Sequence, residues 1–396
     1  MVSGSWPAIG TEERAWRSKI SPDLVSARAL QRHSGPYRAA LVPEIADQAL
    51  ALPADVATLA EDASVEIARF DAELGAEVAP FASVLLRSES ASSSKIENLT
   101  SGAKSIALAE LGSKDKRNAT EIVGNVAAMI AALALADRLD EDAVLAMHRA
   151  LLSDVQPAIA GRWRDGQVWI GGDSFGPYEA AFIPPHHDHV PALMADLLKF
   201  SRRADVPLLS QAAIAHAQFE TIHPFLDGNG RTGRALIHAM LRGQGLTRNV
   251  TVPVSAGLLT GTNGYFDALT AYREGDPAPI VEKLANASFA AAANGRQLVL
   301  DLRAIRQSWE DKIKARRGAT AWHLADVLLR QPVIDTPTVA RELGVTRQNA
   351  LRAIAPLAAA GILEEFTGFA RNRMWQSRQV LDTLDDFAAR AGRRGG

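Results

Sequence analysis

The chain has no cysteine in its 396 residues, which excludes disulfides, thiolate metal ligands and cysteine nucleophiles and fits a reducing compartment. It also lacks a dominant charge: 43 Lys and Arg stand against 45 Asp and Glu, a net −2, so the molecule as a whole has no electrostatic case for binding nucleic acid. Long hydrophobic runs are missing too. The longest, Val126 to Ala136, falls far short of the roughly 20 residues that span a bilayer and reads as a buried helix. Met1 to Ile20 holds charges and two tryptophans but no apolar stretch. Neither a signal peptide nor a transit peptide is read there, and a cytoplasmic location without membrane attachment is the expectation.

What is present is alanine and leucine at helical spacing, with 47% hydrophobic and 22% charged residues. The spacing predicts a mainly α protein of two or three domains. Four segments follow: 1–112, with helices over Pro53–Leu74 and Phe81–Leu99; 113–294; a charged helical connector, 295–317; and a tail, 318–390. The second segment should hold helices near Ala119–Ala136, Asp140–Leu152, Val190–Arg202, Leu208–Ile222 and Arg231–Arg242. One stretch breaks the pattern: Gln167 to Ile170 is strand-like, glycines 171, 172 and 176 are turn chemistry, and Ala181 to Ile183 returns, which predicts a β-hairpin flap. The tail has helix, turn, helix spacing over Thr336–Leu343 and Thr346–Ala359, then a wing-like Gly361–Trp375. Val339, Leu343, Val345, Ala350, Leu351 and Ile354 should share its core. Residues 311–396 carry a net +5, leaving −7 for the rest.

Chemistry concentrates in the run His223-Pro-Phe-Leu-Asp227-Gly228-Asn229-Gly230-Arg231-Thr-Gly-Arg234. Glycines on both sides of Asn229 suit positive φ and an anion-binding nest at a helix N-terminus. Arg231 and Arg234 share a face and can bracket a polyphosphate. Asp227, the loop's one carboxylate, suits Mg²⁺ bridging phosphates. His223, with an ordinary pKa of about 6.5, can accept a proton from a hydroxyl near neutrality. Base, metal ligand and charge clamp are the parts of phosphoryl-type transfer.

This run resembles the signature of the Fic family, His-x-Phe-x-Asp/Glu-Gly-Asn-Gly/Lys-Arg-x-x-Arg, at every defined position, and the likeness extends over about Tyr37 to Ala290. The resemblance implies a helical Fic core that transfers AMP from ATP to a Ser, Thr or Tyr hydroxyl of a target protein, the chain itself included. His223 is then the base, Asp227 the Mg²⁺ ligand, Gly228, Asn229 and Gly230 the phosphate nest, Arg231 the support of the leaving group and Arg234 the γ-phosphate ligand. Doc-type kinases carry Lys where this chain has Gly230, which favours AMP transfer. The flap, with Val168, Trp169 and Ile170, resembles a target-docking hairpin that aligns an extended segment by strand addition.

The run Ser93-Ser94-Lys95-Ile96-Glu97-Asn98 resembles the family's inhibitory helix, Ser/Thr-x-x-x-Glu-Gly/Asn. That likeness implies autoinhibition by Glu97 pairing with Arg234, and leaves removal of AMP from modified targets open. A second match, Thr270 to Gly275 with Glu274, shows how loose the pattern is. The tail resembles a winged helix-turn-helix, with Arg347, Gln348 and Arg352 as DNA contacts and Arg371 and Arg373 on the wing. The rival reading is a DNA-binding transcriptional regulator with a nucleotide-sensing Fic core; a homodimer is compatible with either. His186, His187 and His189 read as a solvated loop end, His216 as packing, and Tyr265 and Tyr272 as either core or adenine stacking.

Overall fold

A computed structural model describes residues 6–16, 26, 35–75, 78–172, 176–316, 318–368 and 372–392. The chain divides into two compact units, each assembled from separated stretches: residues 1–61, 131–244 and 263–284 in one, residues 62–130, 245–262 and 285–396 in the other.

The first unit begins with an antiparallel pair, β1 (Gly10–Trp16) and β2 (Gly35–Leu41), in the register Gly10 to Leu41 and Trp16 to Gly35. Neither strand was expected, because their pairing is settled by partners outside the local sequence. The unit's helices are α5 (Glu141–Leu152), α6 (Val190–Phe200), α7 (Leu208–Ile222), α8 (Asn229–Gly243) and α10 (Thr262–Arg273). Asp140 caps α5 by accepting from Ala143 N at 3.0 Å. From Leu209 to Ile222, α7 is buried on every side, with Gln211, His216 and Gln218 kept there by hydrogen bonds of their side chains. α8 runs against it. At Gly243 an added Cβ would stand 2.3 Å from the Ala136 carbonyl, so only glycine allows that approach.

The second unit contains α2 (Val78–Ile96), α3 (Ala103–Glu110), α9 (Val254–Leu258), α12 (Thr320–Arg330), α13 (Thr336–Leu343), α14 (Arg347–Ala359) and α15 (Arg378–Ala391). Helices α1 (Ala54–Gly75), α4 (Arg117–Ala134) and α11 (Ala278–Ser308) cross the sequence boundaries of the two units. The charged connector is thus the end of a helix that starts at Ala278, followed by Trp309, which is fully buried and donates to Gln379 Oε1 at 3.0 Å. α4 is not buried all round: Ile130 is 55% exposed.

In the tail, strands β3 (Val333–Asp335), β4 (Glu364–Glu365) and β5 (Met374–Gln376) form a sheet in the order β3-β5-β4. Asp335 caps α13, Gly344 ends it at φ 63°, and Thr346 caps α14. Val339, Ala350 and Ile354 are buried, whereas Leu351 is 44% exposed. The expected core place for Leu351 is wrong because one residue past Ala350 the helix has turned by about 100°, off the buried face. Among the described residues no helix is long and apolar enough to cross a membrane.

Buried carboxylates organise the second unit's loops. Asp71 accepts from the backbone N–H groups of Arg248 (3.0 Å), Asn249 (2.8 Å) and Val250 (2.9 Å), and Glu89 accepts from Ser255 N at 2.8 Å and from its hydroxyl. Asp71→Ala strands three backbone donors, and urea unfolding should show a loss of about 2–4 kcal/mol, against under about 0.5 kcal/mol for the exposed Asp62→Ala.

Candidate active site

α7 cannot continue past Ile222, since Pro224 has no N–H to donate and its ring blocks the next turn. His223 therefore takes the left-handed conformation, φ 51°, while its N–H still bonds Phe219 O at 2.8 Å. A non-glycine residue there costs roughly 1–2 kcal/mol. Arg164 holds the turn in place: its Nε donates to His223 O at 2.8 Å, its backbone N to Pro224 O at 2.9 Å, and its Nη groups to Gly166 O and Pro185 O. Its hydrogen-bond partners are carbonyls, and burial pushes the guanidinium down to about 10, which leaves it positive at neutral pH. The His223 ring is 20% exposed, with Nδ1 3.8 Å from a carboxylate oxygen of Glu220 one turn back.

Asn229 closes the loop. Its Oδ1 accepts from Phe225 N at 2.8 Å and its Nδ2 donates to Phe225 O at 2.9 Å, so its side chain braces the turn. Gly228 caps α8 at φ 79°, with a notional Cβ 2.8 Å from Leu151 Cδ2. Gly230 does not share that geometry. It lies within α8 in helical conformation, so only one of the two glycines supplies positive φ. No side chain caps α8, and its first intrahelical bond is Thr232 N to Gly228 O at 3.0 Å. The N–H groups of Asn229 and Gly230 precede it, at the helix end that favours an anion.

The Asp227 side chain is 44% exposed and has Arg231 Nη2 3.5 Å away. One oxygen accepts from Gly228 N at 2.6 Å, the other from Gln156 Nε2. Its carbonyl faces Nε2 of buried His148 at 3.0 Å, while His148 Nδ1 accepts from Gly161 N at 3.0 Å, which fixes the proton on Nε2. The His148 ring lies 3.6 Å from that of Phe225, parallel within 5°. Arg231 and Arg234 are both buried. Gly233, between them, lets α7 and α8 close: a Cβ there would meet His216 Nδ1 and Phe219 Cδ1 at 3.0 Å. His148, Gln156 and Arg164 are scattered through the sequence, and no local spacing marks them.

Residues 138–241 match the model of the Fic/DOC family. The chain carries a Fic domain. It is 31% identical over 155 residues to the protein adenylyltransferase fic-1 of Caenorhabditis elegans, covering 39% of this chain and 28% of that one. It is 32% identical over 146 residues to the protein adenylyltransferase Fic of Drosophila willistoni, covering 36% and 26%. The match thus spans about a quarter of the length of these curated relatives. A solved Fic family protein from Desulfovibrio desulfuricans aligns with a TM-score of 0.53 at 22% identity, over 83% of this chain and 97% of that one, which shows a shared fold.

The Fic domain's flap is less regular than a hairpin. A single bridge, Ile170 to Phe182, joins its arms, because Gly171 and Gly172 both take positive φ and turn the chain at once. Val168, Trp169 and Ile170 are half-buried; Trp169 stacks edge-on against Trp16 of β1 at 5.5 Å, and Tyr37 OH donates to Gln167 Oε1 at 2.9 Å. Tyr265 and Tyr272 are buried, bonded to His216 and Gln218, so both fill core. The histidine cluster is more engaged than expected. Asp188 lies 3.0 Å from His186 and 3.6 Å from His187, within metal-ligand reach of one another, and His189 Nε2 lies 3.0 Å from a Glu12 oxygen.

Ser93 is buried in the last turns of α2, Glu97 follows that helix exposed, and Asn98 ends it at φ 61°. Glu274 likewise follows α10, and Gly275 has φ 94°. Both matches to the loose pattern fall where a helix terminates in a left-handed residue, which explains the Gly/Asn requirement at its last position. In the tail, Arg347, Gln348 and Arg352 are exposed on the first turns of α14. Arg373 is ion-paired with Glu365, and Arg371 lies outside the described residues.

Burial pushes His148 from 6.5 down to about 4, and His216 to about 3. Both stay neutral in the folded protein while the unfolded chain takes up protons near pH 6.5, so their contribution is complete above that pH and is lost as pH falls toward 4. For His148 this is about 3 kcal/mol. Urea unfolding at stepped pH should show stability falling between pH 6.5 and 4, with a shallower slope in His148→Gln.

Proposed function

We propose that the protein transfers AMP from ATP to a hydroxyl of a protein substrate. The observation that carries this is the junction itself, which places a histidine at a helix end beside an exposed carboxylate and the uncapped start of α8. His223 takes the proton of the incoming hydroxyl, whose oxygen bonds the α-phosphorus as the bond to the β-phosphate oxygen breaks, and pyrophosphate leaves. The N–H groups at the start of α8 and the Arg231 side chain receive the negative charge that develops on the leaving group, and Arg234 takes the γ-phosphate. The curated relatives that match the Fic domain are named protein adenylyltransferases, which supports the donor and the acceptor class.

The Asp227 carboxylate fits Mg²⁺: nearly half-exposed, it keeps lone pairs beyond those used by Gln156 and Gly228, and Mg²⁺ commonly takes one protein carboxylate with phosphates and water. Bound there, the ion would neutralise charge on the phosphates. Val168, Trp169 and Ile170 of the flap align an extended target segment. Ser93, Glu97 and Asn98 form the inhibitory element, with Glu97 competing for Arg234 where the γ-phosphate belongs; restraint of this kind also leaves room for removal of AMP. A cytoplasmic setting fits a protein without cysteine.

With ATP labelled at the α-phosphate, Mg²⁺ and lysate, Glu97→Gly should label protein, itself included, more strongly than wild type and than Glu274→Gly. His223→Ala should fall by at least about 10²-fold, the usual worth of a general base. Label transferred from the γ-phosphate instead would make the protein a kinase and overturn the proposal.

The exposed start of α14 favours a second role for the tail, as a winged helix that engages duplex DNA. Binding should weaken steeply with salt, and Arg347→Ala or Arg352→Ala should each reduce the log–log salt slope by about 1. A salt-independent interaction, or none, would assign the tail to protein docking.

A further inference from the structure

Within the second unit, the C-terminal half of α2 faces α3 and α15 across a cavity of about 260 Å³. Its apolar floor is made by Ile106, Ile122, Leu384 and Phe387. The facing side of α2 presents Ser88, Ser92 and Lys95, spaced to share one stripe of the helix. Ser88 and Ser92 are 7% and 4% exposed, yet neither hydroxyl is bonded to a described residue, whereas Ser90 and Ser94 of the same helix donate to Leu86 O and Ser90 O. Two hydroxyls of buried residues on a cavity wall, without protein partners, are free to bond whatever occupies the cavity.

Of the charged groups on the wall, two are committed and one keeps donors to spare, and Thr100 and Ser101 add hydroxyls at its edge. Arg87 is held by Glu110 and by Arg330 O. Asp385, the only carboxylate among the lining residues, is turned to the amino end of α3, where it accepts from Ala103 N at 2.8 Å. Lys95 gives one N–H to Ala388 O at 3.2 Å and has two more to donate. The spare capacity on α2 is therefore a row of donors, two hydroxyls and an ammonium, beside an apolar floor.

We propose that this cavity binds a small amphipathic carboxylate, its apolar body on Ile106, Ile122, Leu384 and Phe387 and its carboxylate on Ser88, Ser92 and Lys95. The site is independent of AMP transfer and uses no residue of the Fic loop. Its occupant braces the turn of α2 that leads into Glu97 and joins it to the tail helix α15.

The test is calorimetric titration of the full chain with sodium octanoate, octylammonium chloride and 1-octanol. Octanoate should give a saturable one-to-one isotherm and raise the unfolding midpoint, and octylammonium should not bind. The double variant Ser88→Ala/Ser92→Ala, which leaves α2 with better helix formers, should weaken octanoate at least about tenfold, the worth of one or two hydrogen bonds. Ala91→Phe should fill the cavity and abolish binding. Absence of saturable octanoate binding, equal binding of octylammonium, or wild-type affinity in the serine variant would each overturn the proposal. Circular dichroism checks that the variants fold; if Ala91→Phe does not, the serine pair and the octylammonium comparison still decide.

Discussion

The left-handed residue at the end of α7 is the constraint on which the site depends. A buried helix that stops dead at His223 and a second buried helix that starts at Asn229 leave only five residues to reverse the chain. That reversal works because Pro224 forbids another turn, Arg164 ties the strained peptide to carbonyls on two sides, and Asn229 clamps both backbone groups of Phe225. The cost of an uncommon backbone conformation is spread over contacts that are themselves buried. Two functional consequences come with it: the imidazole stands at the rim, and the first N–H groups of α8 point out uncapped.

Three residues that touch the loop from behind, His148, Gln156 and Arg164, give it its electrostatics. His148 is neutral, with its proton fixed on Nε2, and orients the Asp227 carbonyl without adding charge. Gln156 steadies the Asp227 carboxylate while leaving it open to water. Arg164 keeps a positive charge near the base without a carboxylate among its hydrogen-bond partners. An anionic substrate thus meets buried cations, with Asp227 as the exposed carboxylate of the loop.

The chemistry of the site was legible in the sequence because it is local: base, carboxylate, glycine cap and two arginines lie within one loop and one helical turn. Helices were legible for the same reason, since their spacing repeats every three to four residues. What could not be read is whatever depends on distant partners. The β1–β2 pair, the bracing role of the Asn229 side chain and the contributions of His148, Gln156 and Arg164 all require the fold to bring separated segments together. Gly230 misled because glycine permits positive φ without requiring it, and Leu351 because an apolar residue beside a buried one need not share its face. The Ser/Thr-x-x-x-Glu-Gly/Asn pattern matched twice because it describes a helix end as well as an inhibitory element.

The leaving group distinguishes AMP transfer from phosphate transfer. With the Glu97→Gly chain, ATP and Mg²⁺, pyrophosphate should be released in step with label appearing on protein, and His223→Ala should give neither product. Release of ADP in place of pyrophosphate, or pyrophosphate formation undiminished in His223→Ala, would contradict AMP transfer with His223 as the base.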